Sequence, residues 1–449
     1  MKLIDPADYV FLALEGRERP LHVGGLQLFT PPDGSGPEFA RQLHATMLQT
    51  PAVSPRFGQR LKSVSLTPRR LMWSDDSDID LDYHVRLSAL PRPGRIRELL
   101  EMTSHWHSAL LDRHRPLWEV HIIDGLADGR IAVYTKMHHA IGDGVTALKL
   151  MQSSLSENPA ARGLPPFFAP RPRRRPHPAK PLWRHALDLS GQAAGLIPAA
   201  ARIGARIVTE RGMSLPMTAP RTIFNVPIGG ARRFAAQSWE IARVRCVASA
   251  LGCTLNDAVL AMCGGALRAY LIEQNALPDK SLVAFVPVSL HRNSGGESSN
   301  AVGAVLADLG TSTDDPIVRM ASVTRSMRQG KELLSGLTPA QAMAVSAGLL
   351  TSFTTANLTG TTQMVPPSFN VCISNVPGPK NPLYWDGARL EGVYPVSLIM
   401  DGAALNITLC SNAGTLDFGI IGCRKAVPHL QRLLGHLEDS LVALEQAAR

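Results

Sequence analysis

Hydrophobic positions recur along the first half of the chain with two different spacings. Residues 22–29 and 131–137 are apolar-rich runs of strand length, while residues 39–50 and 95–112 carry apolar side chains three and four positions apart. The first spacing is typical of strands, and the second predicts amphipathic helices. The first half of the chain is therefore predicted to mix α and β structure.

A β-hairpin is predicted immediately before the most distinctive motif of the chain. Residues 118–123 and 131–137 have strand character, and the segment 124–129 between them contains two Asp-Gly pairs. Such pairs favour the tight turns that join antiparallel strands. The second half alternates in the same way, with strands predicted at 281–290, 369–375, 393–400 and 405–410 and an amphipathic helix at 427–444.

The middle of the chain has a different composition. Residues 162–185 hold seven prolines and seven basic residues and no acid. Such a segment cannot bury enough apolar surface to fold alone, so it predicts a crossover between two lobes. The predicted division is an N-terminal lobe at 1–160, a basic crossover with a helix at 161–220, and a C-terminal lobe at 221–449. The crossover either docks on anionic lipid or is a solvated connection.

Length and composition fit a globular protein of two or three domains. The 449 residues are 45% hydrophobic and only 18% charged, which is sufficient for large cores. The net charge of +9 raises the possibility of nucleic-acid binding. The concentration of basic residues in the crossover, without a basic motif interleaved with aromatic residues, argues against it.

The cysteines predict neither disulfides nor a metal site. None of them forms a Cys-x-x-Cys pair, and none stands near a histidine at zinc-ligand spacing. They are expected to be small core residues in a reducing compartment. The N-terminus has no signal-peptide core, so a cytoplasmic protein is expected. The six cysteines are Cys246, Cys253, Cys263, Cys372, Cys410 and Cys423.

Residues 333–379 contain no charged side chain. The central part, 340–358, is apolar enough to consider a membrane span, but it carries Gln341, Ser346, Asn357 and several threonines. A spanning helix needs about 20 predominantly apolar residues, so a buried helix that lines an apolar cavity is the preferred interpretation.

The motif His-His-Ala-Ile-Gly-Asp-Gly occupies residues 138–144, between the second hairpin strand and a predicted helix. Histidine is the side chain whose ordinary pKa suits proton transfer near neutral pH. Asp143 lies four residues after His139 and either contacts the imidazole or braces the turn. Gly142 and Gly144 permit close approach of the backbone. The motif therefore offers a candidate general base on a rigid support, although an isolated histidine pair at a strand end is more often structural or solvated than catalytic.

Two further segments carry polar groups at the ends of elements. Thr254 is a good N-cap for a helix and Asp257 sits at its N3 position, so capping explains both; Asn256 has no such explanation, and its amide is a candidate to orient an imidazole or bind a carbonyl. Ser374 and Asn375 end a strand before a Pro-Gly turn, which is either a plain turn or one side of a cleft. No Gly-x-Ser-x-Gly elbow, phosphate-binding loop or dinucleotide fingerprint is present.

The histidine motif resembles the signature of acyltransferases related to chloramphenicol acetyltransferase. Nearly the whole chain resembles the bacterial wax ester synthase/diacylglycerol acyltransferase family. In one respect it departs from the family pattern, because His291 stands where an arginine usually follows Ser289-Leu290. The matching pieces, in order, are 22–26, 56–60, 116–119, 138–144, Phe224-Asn225, Asn256-Asp257, 287–290, Asn300 with Gly303, and 374–379.

The resemblance implies an α/β fold with mixed sheets, in which two chloramphenicol-acetyltransferase-like lobes enclose a tunnel. It implies that His139 is the general base for direct transfer from acyl-CoA, without a covalent acyl-enzyme, a cofactor or a metal. Asp143 would hold the turn through an arginine, Asn256 would support the reaction across the lobe interface, and His138 would be structural. The supporting residues are His138, Gly144, Asp257, Ser374 and Asn375.

Several functional alternatives stay open at the level of sequence. Diacylglycerol is slightly favoured as the acceptor, with a long-chain alcohol as the alternative. A condensation-type domain that uses carrier-bound acyl groups is disfavoured because 449 residues contain no carrier or adenylation module. A catalytically silent lipid-binding or lipid-droplet protein is the alternative of another class. The expected location is cytoplasmic, or peripheral on the inner membrane face or on lipid droplets.

Overall fold

Two six-stranded mixed sheets form the framework of the chain, one in each lobe. The computed structural model describes residues 2–63, 71–171, 216–289, 302–335 and 337–449. Most of the predicted basic crossover, and the residues His291, Arg292 and Asn300, lie outside these ranges. The strands are β1 (Lys2–Leu3), β2 (His22–Thr30), β3 (Gln59–Ser63), β4 (Leu71–Asp75), β5 (Val85–Ala89), β6 (Trp118–Asp124), β7 (Ile131–His138), β8 (Arg232–Glu240), β9 (Val283–Ser289), β10 (Val302–Asp308), β11 (Val371–Val376), β12 (Tyr384–Trp385), β13 (Ala388–Val396), β14 (Leu405–Asn412) and β15 (Thr415–Cys423).

The helices predicted from the three-and-four spacing of apolar residues are present in the structure. Each amphipathic segment predicted at 39–50, 95–112 and 427–444 contains a helix in the structure, whereas residues 172–215, which include most of the helix predicted in the crossover, lie outside the described residues. The helices described are α1 (Pro6–Leu14), α2 (Phe39–Leu48), α3 (Leu81–His84), α4 (Ile96–Ser108), α5 (Gly144–Gln152), α6 (Ile241–Ala250), α7 (Leu255–Glu273), α8 (Pro316–Ser335), α9 (Pro339–Thr359) and α10 (Arg432–Ala447).

The first sheet has the strand order β12-β13-β2-β7-β6-β5. The predicted hairpin is confirmed, because β6 and β7 pair antiparallel with Trp118 opposite Met137. On its other side β7 pairs with β2, which places His22 opposite His138. Strands β12 and β13 come from the C-terminal half of the chain and complete this sheet through β2. A segment of the C-terminal half therefore crosses over and completes the first sheet.

The second sheet has the order β10-β9-β11-β14-β15-β8 and opens between β9 and β11. These two strands pair only at the start, where Cys372 faces Phe285. The backbone of Val283 bonds to Asn370, just before β11, so alternate residues of β9 face that strand. Pro287 is the second such residue after Val283, and it has no N–H to donate. The strands consequently separate beyond Phe285.

One helix of the described chain, α7, is long and apolar enough to cross a membrane by length and composition. Of its most apolar window, 67% is buried inside the protein, where the helix packs in the main core. The uncharged segment forms α9, whose inner side contributes Leu350 and Phe353 to a cavity. Its outer side carries Leu358, which is 55% exposed. The helix therefore lines a cavity as expected, but it is only partly buried.

The cysteines are all unpaired in the structure. Cys263, Cys410 and Cys423 are buried core residues as expected. Cys246 is exposed on α6, so the core prediction is wrong for that residue. Cys372 is partly buried and faces a cavity between the lobes.

Candidate active site

The backbone around the histidine pair is held by the end of the first sheet. Strand β7 ends at His138, and the next residue still donates its backbone N–H to Leu21 O at 3.0 Å. Ile141 N then donates to His138 O at 2.9 Å, which closes a tight turn. The turn fixes the position of His139, because the backbone N–H of His139 and the carbonyl of His138 are both hydrogen-bonded.

Asp143 is the N-cap of α5, the helix that follows the motif. The Asp143 side chain accepts a hydrogen bond from Thr146 N at 2.7 Å, and Asp143 is exposed to solvent. An aspartate at this position satisfies a free N–H group of the first turn and favours the positive end of the helix dipole. The resemblance implied a brace through an arginine; among the described residues, the hydrogen bond of the Asp143 side chain is this cap. Gly144 is the first helical residue and lines both cavities described below.

The imidazole of His139 lies against the ring of Phe11 on α1. The ring centroids are 3.9 Å apart and the planes differ by 22°. Burial lowers the pKa of His139 to about 4, while the negative charge of Asp143 opposes that shift. The imidazole is therefore neutral near pH 7 and has a nitrogen lone pair available to accept a proton.

His139 contributes to the wall of an apolar cavity of about 290 Å³ between the lobes. This space is lined by residues of α1 and β2 on one side and of β9, α9, β11 and β14 on the other. Its size and lining suit an apolar chain. The lining residues are Val10, Phe11, Leu14, Val23, His139, Gly144, Phe285, Leu350, Phe353, Thr354, Phe369, Cys372, Ser397, Leu398, Ile399, Met400, Ala403, Leu405 and Asn406.

A second cavity of about 220 Å³ adjoins the first. Asp143, Gly144 and Ser374 lie in its wall, so the structure brings these three predicted residues together. It occupies the opening beside Pro287, where β9 and β11 separate. The two cavities have five lining residues in common, which makes them neighbouring parts of one interlobe space; these are Val23, Gly144, Cys372, Ser397 and Asn406.

Asn256 has a different surrounding from the one the sequence suggested. It is not among the described residues that line either cavity, and its Oδ1 atom lies 3.4 Å from Nδ2 of Asn375. Asp257 completes a reciprocal capping box with Thr254, at 3.2 Å and 3.1 Å. The structure thus joins the two polar segments at a helix start and a strand end. Any part that Asn256 has in catalysis stays a prediction.

His138 belongs to a buried polar cluster and lines neither cavity. Its Nε2 lies 3.3 Å from Oε1 of Glu15, and His22 Nε2 lies 3.0 Å from the same oxygen. Arg113 donates to the other carboxylate oxygen at 2.9 Å. Burial opposes ionisation of Glu15, but the contacts with both histidines outweigh it and hold its pKa well below the usual range. The carboxylate therefore ties the histidine motif to α1 and β2.

Three residues of this site were not predicted from the sequence. Phe11 and Glu15 lie in and just after α1, and they meet the histidine motif only because β2 pairs with β7. Asn406 lies on β14, where it looked like one more strand residue. The one local signal for the first two was the spacing of four residues between Phe11 and Glu15, which places both side chains on one face of a helix.

Among the residues that the structure describes, no group of three or more His, Cys, Asp or Glu side chains is arranged to hold a metal ion. The chemistry that the described side chains offer is proton transfer by a neutral imidazole and hydrogen bonding by Asn406, Ser374 and Thr408.

Comparison with family models gives two matches that together span most of the chain. Residues 4–259 match the wax ester synthase/diacylglycerol acyltransferase catalytic domain. Residues 298–445 match the C-terminal domain of the same family. A probable diacylglycerol O-acyltransferase of Mycobacterium tuberculosis is 51% identical over 455 residues, which cover 100% of this chain and 99% of the relative. An O-acyltransferase of Acinetobacter baylyi is 39% identical and covers 99% and 97% of the two chains.

Solved structures show the same relationship. The wax ester synthase/diacylglycerol acyltransferase of Marinobacter aquaeolei VT8 superposes with a TM-score of 0.81 at 42% identity, over 100% of both chains. The first condensation domain of the calcium-dependent antibiotic synthetase, at 15% identity, has a TM-score of 0.56 over 100% and 96%. The second likeness concerns the fold alone. Together they confirm the predicted mixed α/β fold with two chloramphenicol-acetyltransferase-like lobes.

Proposed function

The chain belongs to the wax ester synthase/diacylglycerol acyltransferase family and is an acyltransferase, and we propose that it forms triacylglycerol by moving a long-chain acyl group from acyl-CoA to diacylglycerol. The observation that carries the proposal is the neutral imidazole of His139 in the wall of an apolar interlobe cavity. A base beside an apolar channel suits a reaction between a hydroxyl and a fatty acyl chain.

In the proposed reaction His139 takes the proton of the acceptor hydroxyl. The hydroxyl oxygen attacks the thioester carbonyl carbon, and a new C–O bond forms. The C–S bond then breaks, and the CoA sulfur leaves with the proton that the imidazolium returns. General-base help accounts for about 10²–10⁴-fold of the rate, so positioning and charge stabilisation must supply the remainder.

The other motif residues have supporting parts in this proposal. Asp143 holds the turn by capping α5, and Gly144 lets the substrate approach closely. His138 is structural through its contact with Glu15. Asn256 and Asp257 support the site from the start of α7, with Asn256 acting through Asn375 on the strand that also carries Ser374.

Diacylglycerol is the proposed acceptor, with a long-chain alcohol as the alternative. The mycobacterial relative at 51% identity is named a probable diacylglycerol O-acyltransferase, which supports the first. The Marinobacter protein at 42% identity is named for both activities, which supports wax ester synthesis as the alternative.

We further propose that the reaction needs no cofactor and that the protein works in the cytoplasm, at the inner membrane face or on lipid droplets. The basic residues at 162–185 support contact with anionic lipid, because each basic group near such a surface contributes about 1 kcal/mol. Flotation with vesicles of neutral or anionic phospholipid tests this: retention on anionic vesicles alone is expected, and equal recovery from both would refute it.

Acyl transfer is tested with purified protein and labelled palmitoyl-CoA. Separate reactions receive diacylglycerol, hexadecanol or no acceptor, and the products are separated and counted. Wild type is expected to label triacylglycerol more than wax ester. His139→Ala is expected to lose about 10²–10⁴-fold of that rate.

The matched control is His114→Ala, since the side chain of His114 is 92% exposed and lies on the surface beside Asp112. It should keep wild-type activity. Equal label transfer by wild type and His139→Ala would refute the general-base assignment. Binding of palmitoyl-CoA or diacylglycerol without transfer to either acceptor would favour the silent lipid-binding protein instead.

A further inference from the structure

Four polar side chains form a patch on the second sheet that the proton transfer above does not use. Cys372 and Ser374 on β11 stand in parallel register with Asn406 and Thr408 on β14. All four line the smaller cavity, and Cys372 and Asn406 also line the cavity that contains His139. The patch thus extends to the place where the two cavities adjoin.

The amide of Asn406 has a fixed orientation. Thr408 Oγ1 donates a hydrogen bond to Asn406 Oδ1 at 2.8 Å, and the two residues are only 6% and 5% exposed. An amide has one acceptor end and one donor end, so a hydroxyl bonded to the oxygen determines where the NH₂ group lies. The NH₂ group of Asn406 is therefore presented in a defined direction within the cavity wall.

The NH₂ group of Asn406 has the thiol of Cys372 as its neighbour, and a thiol sulfur is a weak hydrogen-bond acceptor. Burial raises the pKa of the Cys372 thiol to about 12, with the contact from Asn406 opposing the shift, so the sulfur is a neutral thiol near pH 7. Among the residues that the structure describes, no oxygen accepts a hydrogen bond from Asn406 Nδ2. A nearly buried donor without a strong acceptor is satisfied best by a polar atom of a ligand.

We propose that Asn406 is an oxyanion-stabilising residue: its amide NH₂ donates to the carbonyl oxygen of the bound acyl thioester. This inference rests on the proposed acyl transfer. As the acceptor oxygen attacks, the C=O electron pair moves onto that oxygen, and it returns when the C–S bond breaks. A donor already in place stabilises the charge at the moment it forms. Thr408 is a positioning residue, because it acts through Asn406.

Kinetics of Asn406→Leu and Asn406→Asp test the assignment. Leucine has nearly the same volume and no donor, and aspartate has the same shape and a negative charge. Removal of one oxyanion donor typically lowers kcat by about 10²–10³-fold, and we expect that loss with a KM for palmitoyl-CoA within about threefold of wild type. Thr408→Val should give a smaller loss of kcat. Asn406→Ser is the further variant if leucine prevents folding.

A spectroscopic readout separates this inference from the proposed function. Palmitoyl-CoA is bound to the protein in the absence of an acceptor, with and without a ¹³C label at the thioester carbonyl. The infrared difference spectrum then isolates the carbonyl stretch and reports its hydrogen bond directly. The carbonyl stretch should lie at lower frequency in wild type than in Asn406→Leu. Equal frequencies, or a kcat within twofold of wild type for Asn406→Leu, would overturn the inference while acyl transfer stands. A frequency shift without any transfer by wild type would support the hydrogen bond and refute the transferase proposal.

Discussion

The ring of Phe11 lies face to face with the imidazole of His139, with centroids 3.9 Å apart. Phe11 thereby shields one face of the proposed base from water. Burial is also the main reason that the pKa of His139 falls to about 4. Helix α1, near the start of the chain, therefore contributes to the burial of a residue more than a hundred positions later.

Replacing Phe11 with alanine is expected to raise the pKa of His139 toward its ordinary value near 6.5. In the proposed mechanism the neutral imidazole is the active form, so the acid limb of kcat/KM should move from about pH 4 to higher pH. Activity at pH 5 should then fall more than activity at pH 8. Initial rates measured from pH 4 to 8 check this. Phe353→Leu alters the same cavity at the ring contact with Phe369 and should keep the wild-type limb. An unmoved limb in Phe11→Ala would contradict the shielding role.

Glu15→Gln should destabilise the fold. The substitution leaves Arg113, His22 and His138 around a neutral amide, and breaking a buried ion pair from one side costs about 3–5 kcal/mol. Arg113 is 39% exposed, so solvent screening reduces the expected loss to roughly 2–3 kcal/mol. Urea unfolding at pH 7 gives the value. Glu18→Gln, at an exposed position of the same loop, serves as the control, and an equal effect of both changes would argue against the cluster.

Two glycines beside the site should respond oppositely to alanine. A Cβ atom on Gly24 would lie 2.2 Å from Thr135 O in the neighbouring strand, so Gly24→Ala must distort the β2–β7 pairing. A Cβ atom on Gly144 meets nothing within 4 Å. Gly24→Ala should therefore express poorly or melt at a markedly lower temperature, whereas Gly144→Ala should fold normally. Thermal unfolding of both variants decides the point, and normal melting of Gly24→Ala would disprove the close approach.

The contribution of Asn256 can be separated from helix capping. Thr254→Ala removes the N-cap of α7 and should cost about 1 kcal/mol of stability with little change in kcat. Asn256→Ala keeps the cap but removes the contact with Asn375. If Asn256 supports the reaction, kcat should fall at least tenfold while stability changes by less than about 0.5 kcal/mol. Parallel losses in the two variants would reduce Asn256 to a structural residue.

The elements could be predicted from the sequence far better than their arrangement. The hairpin of β6 and β7 and the capping box of Thr254 depend on neighbours in the chain, and both are present in the structure. The pairing of β13 with β2 depends on segments more than 350 positions apart, and no local spacing reports it. For the same reason Asn406 was not predicted: its significance depends on the lobe that faces β14 across the cavity.

The segment of the C-terminal half that completes the first sheet has a consequence for synthesis of the chain. Strand β13 ends at Val396, so a ribosome has made almost nine tenths of the 449 residues before the first sheet is complete. Until then β2 keeps an open edge of nine residues, the kind of edge that templates aggregation. Until then the proposed base His139 follows a strand of an incomplete sheet, and a nascent chain released early exposes the open edge of β2. Synthesis through Val396 is therefore a condition for covering that edge.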